Sequence, residues 1–338
     1  MAEIEHISNQ IMIFAGIIMY LFGIFGNILN IRVFSIWSRS PKHSTKHHRR
    51  GRTSNSSLYL LAASCSNLIV IMYPLLTRIM FDGYQFHVTE KTLFIFCKLR
   101  FYILHTFDLI SLICICLATF DRYLISSKKV RLRKLSTRRQ RTKLIILILS
   151  CLIGIHNIPI IIYFQVSDHG QCVILARSYL YYYLYIIQIC FHGICPIVFL
   201  SIFGILTFVQ LRKIERRNRH RRHSQRGLSS DKQLSRMLLL MSIAIILSSI
   251  PYCIEQCFNV MFMYNLTVKT SYFYFFHVLS HALYYTNHVS SFYVYYMSTP
   301  NFRIEIRRIF SCRPPVRYVV YNEEKNIVSS QQSTSNNI

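Results

Sequence analysis

Seven apolar runs, separated by polar connections, constrain the fold of this chain more than any other feature of its sequence. The runs cover residues 11–31, 57–80, 97–123, 144–165, 179–211, 234–264 and 272–298. Each is long enough as a helix to cross a hydrocarbon core about 30 Å thick, which takes about 20 apolar residues. Hydrophobic residues make up 52% of the 338 residues and charged residues only 15%, too apolar a balance for a soluble domain. The predicted fold is an all-α membrane protein, a seven-transmembrane helix bundle.

The basic residues predict how the seven helices are oriented. Most of the 39 Lys and Arg residues lie in the first, third and fifth connections, in the C-terminal tail or at the adjoining helix ends. The exceptions are Arg78, Lys91, Lys98, Arg100, Arg177 and Lys269. Because cytoplasmic connections are enriched in Lys and Arg, we expect an extracellular N-terminus and a cytoplasmic C-terminus. The expected location is the plasma membrane, which the chain crosses several times.

The two ends of the chain are predicted to lie outside the bundle of residues 11–299. Residues 1–10 are expected to form an extracellular N-terminus, and they lack the basic start of a removable signal peptide. Residues 300–312 have amphipathic spacing, which predicts a short eighth helix. Residues 313–338 are rich in Ser, Asn and Gln, so we expect a disordered cytoplasmic tail.

The formal net charge of +26 would by itself suggest a nucleic-acid partner. The two most basic segments, residues 42–52 and 212–226, are each placed between long apolar runs. A basic segment beside a membrane-spanning helix usually fixes its topology. We therefore expect the lipid bilayer, and no nucleic acid, as a partner.

Two of the eleven cysteines are predicted to lie on the outer side of the membrane. Cys97 opens the third apolar run, and Cys172 lies in the second outer connection. Disulfides persist in oxidising compartments, so a bond between these residues would tie the outer connection to the third helix. The alternative is two free thiols.

Short motifs lie at characteristic depths in the apolar runs. They are Gly26-Asn27, Leu58-Tyr59-Leu60-Leu61, Asn67-Leu68, Asp121-Arg122-Tyr123, Pro159, Pro196, Pro251 and Phe302-Arg303. With Cys97, they make the chain resemble a rhodopsin-like (class A) G-protein-coupled receptor over residues 26–312. The seventh run has a looser likeness to invertebrate peptide-receptor-like orphans. The resemblance implies a receptor for an extracellular ligand, with a peptide as one candidate, that activates a heterotrimeric G protein. It implies no enzyme activity and no cofactor.

The resemblance also assigns a switch at the cytoplasmic side. Asp121, Arg122 and Tyr123 end the third helix, where an arginine is costly unless it is paired, and Asp121 is its local candidate partner. Asp231, at the base of the sixth helix, would latch Arg122 in the inactive state; otherwise it is a solvated acid at a helix N-terminus. Pro251 would kink the sixth helix and let it swing to open a cleft for the G protein.

Further sites follow from the same resemblance. Tyr295 belongs to the switch of the seventh helix, Cys312 is a lipidation candidate, and Asn265 begins a glycosylation sequon. The chain departs from the family where SSIP at 248–251 replaces CWxP and SFYVY at 291–295 replaces NPxxY. These departures make it a divergent member.

One matched pocket is altered in a way that changes its expected chemistry. Asn67 stands where the family usually has Asp, and it would share a degenerate sodium site with Ser111, Asn287 and Ser291. A neutral amide binds Na⁺ less well than a carboxylate does. We predict weak or absent modulation by sodium.

The ligand is constrained mainly by what the helices lack. Leu104 stands where receptors for amines have Asp, and the seventh run contains no Lys to carry retinal. The candidate pocket residues are Leu104, His105, Asp108, Ser249, Glu255 and His281. An ionised Asp at mid-membrane costs about 2.5–3.5 kcal/mol, so Asp108 should face the bundle interior. It could receive a cationic group of the ligand, be protonated, or pair with His105 or a histidine of the seventh helix.

The sequence also bears on a metal site and on three function classes other than a G-protein-coupled receptor. His277 and His281 are one helical turn apart, but without a third ligand we expect no metal site. A transporter would show broken helices in two related halves, which the sequence lacks. A membrane enzyme would need a clustered catalytic set, and Asp108, Glu255 and the scattered histidines do not form one in the sequence. A transporter and a seven-helix chemosensory protein that uses no G protein remain the alternatives.

Overall fold

The computed structural model describes residues 2–39, 55–86, 92, 94–127, 131–132, 139–166, 172–218, 225–261 and 271–311. Asn265, Cys312 and the predicted tail of residues 313–338 lie outside them. The side chain of Asp231 is also outside the described part, although its backbone belongs to the sixth helix.

Seven long helices and a short eighth one account for most of the described residues. They are α1 (Ala2–Ser38), α2 (Ser56–Gly83), α3 (Phe94–Ser126), α4 (Arg139–Tyr163), α5 (177–218), α6 (Gln225–Met261), α7 (Ser271–Ser298) and α8 (Pro300–Phe310). Of these, α1 to α6 are long and apolar enough to cross a membrane. Helix α7 has the length, 28 residues, but carries more polar side chains, which face the bundle interior. The predicted seven-helix, all-α membrane architecture is confirmed.

Several helices contain wide π-helical turns, in which the backbone accommodates one residue more than an α-helical turn does. In α2 these turns cover Ile71–Leu75, which contains Pro74, and Ile79–Gly83. In α3 they cover Phe94–Leu99, and in α5 the 12 residues Tyr183–Ile194. Each such segment rotates the side chains on one side of it relative to those on the other.

The helices pack as a closed bundle. Helix α1 lies against α2 and α7, α2 against α3, α5 against α3 and α6, and α6 against α7. Large apolar side chains on the outside of α1, α4 and α5 are exposed, among them Phe14, Leu147 and Ile205. Exposed apolar residues of this kind are the expected lipid-facing surface of a membrane protein.

Aromatic rings attach α8 to the bundle. Phe302 of α8 is completely buried, and its ring centroid lies 6.0 Å from those of Phe34 and Trp37 in α1. Tyr295 of α7 completes the cluster, 5.5 Å from Phe34. Because Phe302 and Ile306 are buried while Arg307 is exposed, the helix is amphipathic, as the spacing of residues 300–312 predicts.

The structure differs from the sequence-based boundaries at several helix ends: α5 continues to Asn218, and α6 begins at Gln225, before the sixth apolar run at residue 234. Two further differences concern α1 and α4. Helix α1 begins at Ala2, so residues 2–10, assigned to the N-terminus, continue the first helix; Glu3 and Glu5 in its first turn stabilise that end. The fourth apolar run was extended to residue 165, but α4 ends at Tyr163. Residues 164–166 instead form strand β1 (Phe164–Val166), antiparallel to β2 (Cys172–Ile174). Strands this short give no alternating pattern.

Candidate functional site

The hairpin brings Cys172 to the start of α3, where it forms a disulfide with Cys97. The two Cα atoms are 5.8 Å apart, within the usual range for a disulfide. The bond crosses 75 residues of sequence and fixes the hairpin over the end of the bundle. The predicted pairing is confirmed.

Asp108 is the centre of the most polar part of the bundle interior. It lies in α3 and is only 2% exposed. The hydroxyl of Tyr284 in α7 donates a hydrogen bond to its Oδ2. Nε2 of His192 in α5 lies 3.3 Å from Oδ2, and Nε2 of His288 in α7 lies 3.3 Å from Oδ1. Three helices therefore meet at one buried carboxyl group.

The other nitrogen of each histidine has a hydrogen-bond partner away from Asp108. Nδ1 of His192 lies 2.8 Å from the carbonyl oxygen of Ile187, and Nδ1 of His288 lies 2.9 Å from Oδ1 of Asn67. Both partners are acceptors, so each Nδ1 carries its proton there. Each Nε2 lies beside a carboxyl oxygen without a hydrogen bond to it. Within the described residues, both nitrogens are therefore buried polar atoms that no hydrogen bond satisfies.

Asn67 and Ser111 meet as the sodium-site prediction requires, but the other two members of that set lie elsewhere. Ser111 Oγ donates to Oδ1 of Asn67 at 2.6 Å. Asn287 instead accepts a hydrogen bond from Ser248 and donates to Ser249 at 3.2 Å. The position beside Asn67 is taken by His288, which the sequence marks only as a histidine of the seventh run.

The residues around Asn67 do not fit a sodium ion. Its Oδ1 already accepts hydrogen bonds from Ser111 and from His288. A carbonyl oxygen has two lone pairs, so both are used. Ser291, the fourth predicted member, accepts a hydrogen bond from Asn30 of α1 at 3.0 Å. Polar side chains thus replace the ion as the connection between α2, α3 and α7.

A narrow cavity opens onto Asp108. It is lined by Leu104, His105, Asp108, His192, Tyr252, His281, Tyr284 and Tyr285, and has room for about one water molecule. Leu104, His105, Asp108 and His281 are predicted pocket residues. The sequence missed His192 and the three tyrosines, because tyrosines in the fifth and seventh runs also fit an interfacial belt or packing.

Two predicted pocket residues have other partners. Ser249 accepts the hydrogen bond from Asn287. Glu255 lies in a separate cluster, with Oε1 2.5 Å from Nδ1 of His277 and a hydrogen bond from Ser280 to Oε2.

A hydrogen-bonded chain connects the cavity wall across three helices. His105 in α3 lies 2.7 Å from the hydroxyl of Tyr183 in α5, through Nε2. Gln188 donates to that hydroxyl at 2.6 Å and accepts a hydrogen bond from Tyr252 in α6. Movement of α6 therefore changes contacts that reach α3. Tyr252 follows Pro251, which lies within α6 as predicted.

The opposite end of α3 carries Asp121 and Arg122, both buried. Oδ2 of Asp121 accepts hydrogen bonds from the backbone N–H of Ser56 at 3.1 Å and from its hydroxyl at 2.8 Å. Arg122 Nε donates to the same hydroxyl at 3.0 Å. Ser56 begins α2, so it connects the two charged residues to a second helix. The ring of Tyr123 packs 5.5 Å from that of Phe203 in α5.

Comparison with known proteins adds the identity of the family. Residues 44–290 match the family described as 7 transmembrane receptor (rhodopsin family). No curated protein matches the chain. The matched residues are more than half of the chain, and they contain the disulfide, the Asp121-Arg122-Tyr123 motif and the cavity at Asp108. The chain therefore belongs to the rhodopsin family of seven-transmembrane receptors.

Proposed function

We propose that this receptor acts at the plasma membrane, with its N-terminus outside, and activates a heterotrimeric G protein when an extracellular peptide places a cationic group against Asp108. The observation that carries the ligand chemistry is the buried carboxyl of Asp108 in the lining of a cavity walled by histidines and tyrosines. A buried carboxylate is costly unless it is both hydrogen-bonded and paired with a charge. Tyr284 donates a hydrogen bond to Asp108, and a cation from the ligand would provide the charged partner.

The size of the cavity favours a ligand that inserts a single group. With room for about one water molecule, it admits a side chain only when the surrounding helices separate, and the bulk of the ligand must remain nearer the surface. A peptide with one basic side chain or a free amino terminus meets this requirement. The rings of Tyr252 and Tyr284 stack on each other with centroids 4.3 Å apart, so such a cation could meet only the faces turned away from the stack.

The contacts of Asp108 suggest how binding would alter the bundle. A ligand cation would compete with His192 and His288 for the carboxyl oxygens of Asp108. Release of His288 would loosen its hydrogen bond to Asn67 in α2. The ligand would thereby favour a second arrangement of α7 relative to α2. A ligand that binds one of two states more tightly always shifts the population towards that state. Pro251 would let α6 move in the same transition.

Arg122 is the residue proposed to reach the G protein. It is held against Ser56 in the present arrangement, and its release would expose a cation at the cytoplasmic ends of α3 and α6. The proposed inactive-state latch to Asp231 belongs to this same step. Lipidation of Cys312 and glycosylation of Asn265 remain proposals for the two sides of the membrane.

The test uses membranes from cells that express the full chain and a library of peptides matched in length, half of them basic and half neutral. Nucleotide exchange on added G proteins is the readout. We expect responses to basic peptides only, lost in Asp108→Asn and in Arg122→Gln. Binding of a labelled responding peptide should be lost in Asp108→Asn and kept in Arg122→Gln. Peptide-dependent uptake or current without nucleotide exchange would overturn the proposal in favour of a transporter.

A further inference from the structure

Three potential metal ligands converge between α6 and α7, at the ends remote from Arg122. Glu255 comes from α6, and His277 and His281 come from successive turns of α7. One ligand atom from each lies within 4.8 Å of the other two. Sequence reasoning had only the two histidines, because Glu255 joins them through the packing of separate helices. The premise that no third ligand exists is therefore wrong.

One pair of ligand atoms is already spaced as in a zinc site, and a second pair is closer together. With bonds of about 2.0–2.1 Å, two ligands of a tetrahedral Zn²⁺ lie about 3.4 Å apart. Oε2 of Glu255 and Nε2 of His281 are 3.5 Å apart. Oε1 of Glu255 and Nδ1 of His277 are 2.5 Å apart, because a hydrogen bond joins them, and they must separate by about 1 Å.

Burial and hydrogen bonding also suit a metal. The carboxylate of Glu255 is completely buried, whereas the side chain of His277 is 32% exposed and provides an entry path. Ser280 donates a hydrogen bond to Oε2 of Glu255 and so orients the carboxylate. Two imidazoles and one carboxylate leave a fourth position open, as in catalytic and regulatory zinc sites. We propose that Glu255, His277 and His281 bind Zn²⁺ and thereby join α6 to α7.

Arg78 is expected to weaken zinc binding at this site, so a variant that removes it provides a test of the proposal. Its Nη2 lies 2.9 Å from Nε2 of His277. Arg has only donors, so Nε2 is the acceptor and the imidazole proton is on Nδ1. Zinc on Nδ1 requires that proton to move to Nε2, where it meets the N–H groups of Arg78. Arg78 must then leave His277, and it keeps its ion pair with Asp82, in which Nε and Oδ2 are 2.7 Å apart.

This inference goes beyond the proposed function, because it requires neither a peptide nor a G protein. Zinc would join α7, which the proposed transition moves relative to α2, to α6, which the same transition moves at Pro251. Bound zinc would therefore shift the equilibrium between the two helix arrangements of the receptor, as a second ligand does.

The test is a titration of the purified full chain in detergent with Co²⁺, whose visible absorption reports four-coordinate binding, followed by displacement with Zn²⁺. We expect one four-coordinate Co²⁺ per chain, displaced by Zn²⁺. His281→Gln and Glu255→Gln should weaken binding by more than about 100-fold, and Ser280→Ala by about 10- to 100-fold, the usual effect of removing an orienting partner. Arg78→Gln should strengthen binding.

His156→Gln is the matched control, because it removes a histidine of α4 that lies outside the cluster. It should leave the Co²⁺ spectrum and affinity unchanged. Thermal unfolding without metal identifies any variant that fails to fold. If His281→Gln or Glu255→Gln fails to fold, Ser280→Ala and Arg78→Gln still test the site, because they are expected to change the affinity for Co²⁺ in opposite directions. An unaltered four-coordinate spectrum in a folded His281→Gln, or its absence from the wild-type chain, would overturn the proposal.

Discussion

Nδ1 of His288 lies 2.9 Å from Oδ1 of Asn67, so an imidazole of α7 occupies the position beside the residue that replaces the family's usual aspartate. The same ring presents Nε2 to Asp108 at 3.3 Å. A single side chain therefore touches both the cavity and the altered sodium pocket. No ion is needed to connect them.

The first prediction concerns sodium. The melting temperature of the purified receptor should be the same in sodium chloride as in the chloride of a bulky organic cation at equal ionic strength. The reason is that both lone pairs of Asn67 Oδ1 are engaged by Ser111 and His288. A stabilisation specific to sodium would show that the ion displaces one of these donors.

The second prediction concerns His288 itself. His288→Phe should lower the free energy of unfolding by about 1–3 kcal/mol, because it removes a buried donor to Asn67 and a neighbour of Asp108. His156→Gln, at a half-buried position in α4, should lower it by less. Thermal unfolding of the purified variants measures both changes in the free energy of unfolding. Equal changes would argue against a role for His288 in connecting Asn67 to Asp108.

The third prediction concerns the disulfide. Replacing Cys97 and Cys172 by Ser should cost up to about 4 kcal/mol, since the bond closes a loop of 75 residues in the unfolded chain. Cys151→Ser, which removes an exposed free thiol of α4, serves as the control and should leave the melting temperature unchanged. If the double variant unfolds at the wild-type temperature, the hairpin is held by packing alone.

The fourth prediction concerns the close approach of α1 and α7. A Cβ added at Gly26 would lie 2.9 Å from Cβ of Phe292, so Gly26→Ala should destabilise by about 1–3 kcal/mol. Gly154→Ala is the matched control, because its Cβ would meet only the hydroxyl of Tyr102 at 3.4 Å. In the Gly26→Ala, Phe292→Gly double variant, which removes the Cβ that the added methyl group meets, the two costs should be less than additive. Strict additivity would mean that the two positions do not contact each other.

The sequence was sufficient for the architecture because bilayer-spanning helices are specified by length and hydropathy alone. Two outer cysteines were enough to predict the disulfide, and the spacing of residues 300–312 to predict α8. Only half of the residues that line the cavity could be predicted from the sequence. Leu104, His105 and Asp108 lie on one face of α3 at helical spacing. Once one of them is assigned to the bundle interior, the other two are expected there as well.

The remaining site residues depend on contacts between helices that no local pattern encodes. Glu255 meets His277 only because of the rotation of α6 relative to α7. Ser249 was placed in the pocket by its distance from Pro251, but it bonds to Asn287 instead. His192 reaches Asp108 from a segment of wide turns, whose register cannot be obtained by counting helical positions.

Those wide turns in Tyr183–Ile194 have a consequence for comparing this receptor with its relatives. An alignment of fifth helices anchored at Pro196 and written without a gap is valid only for a relative whose helix has the same wide turns. Against a regular α-helix, each extra residue in the wide segment shifts the assignment by one position, which is a rotation of about 100° around the helix axis. Side chains before Tyr183 would then be assigned to the wrong face, and ligand contacts transferred from such a relative would be attributed to their neighbours.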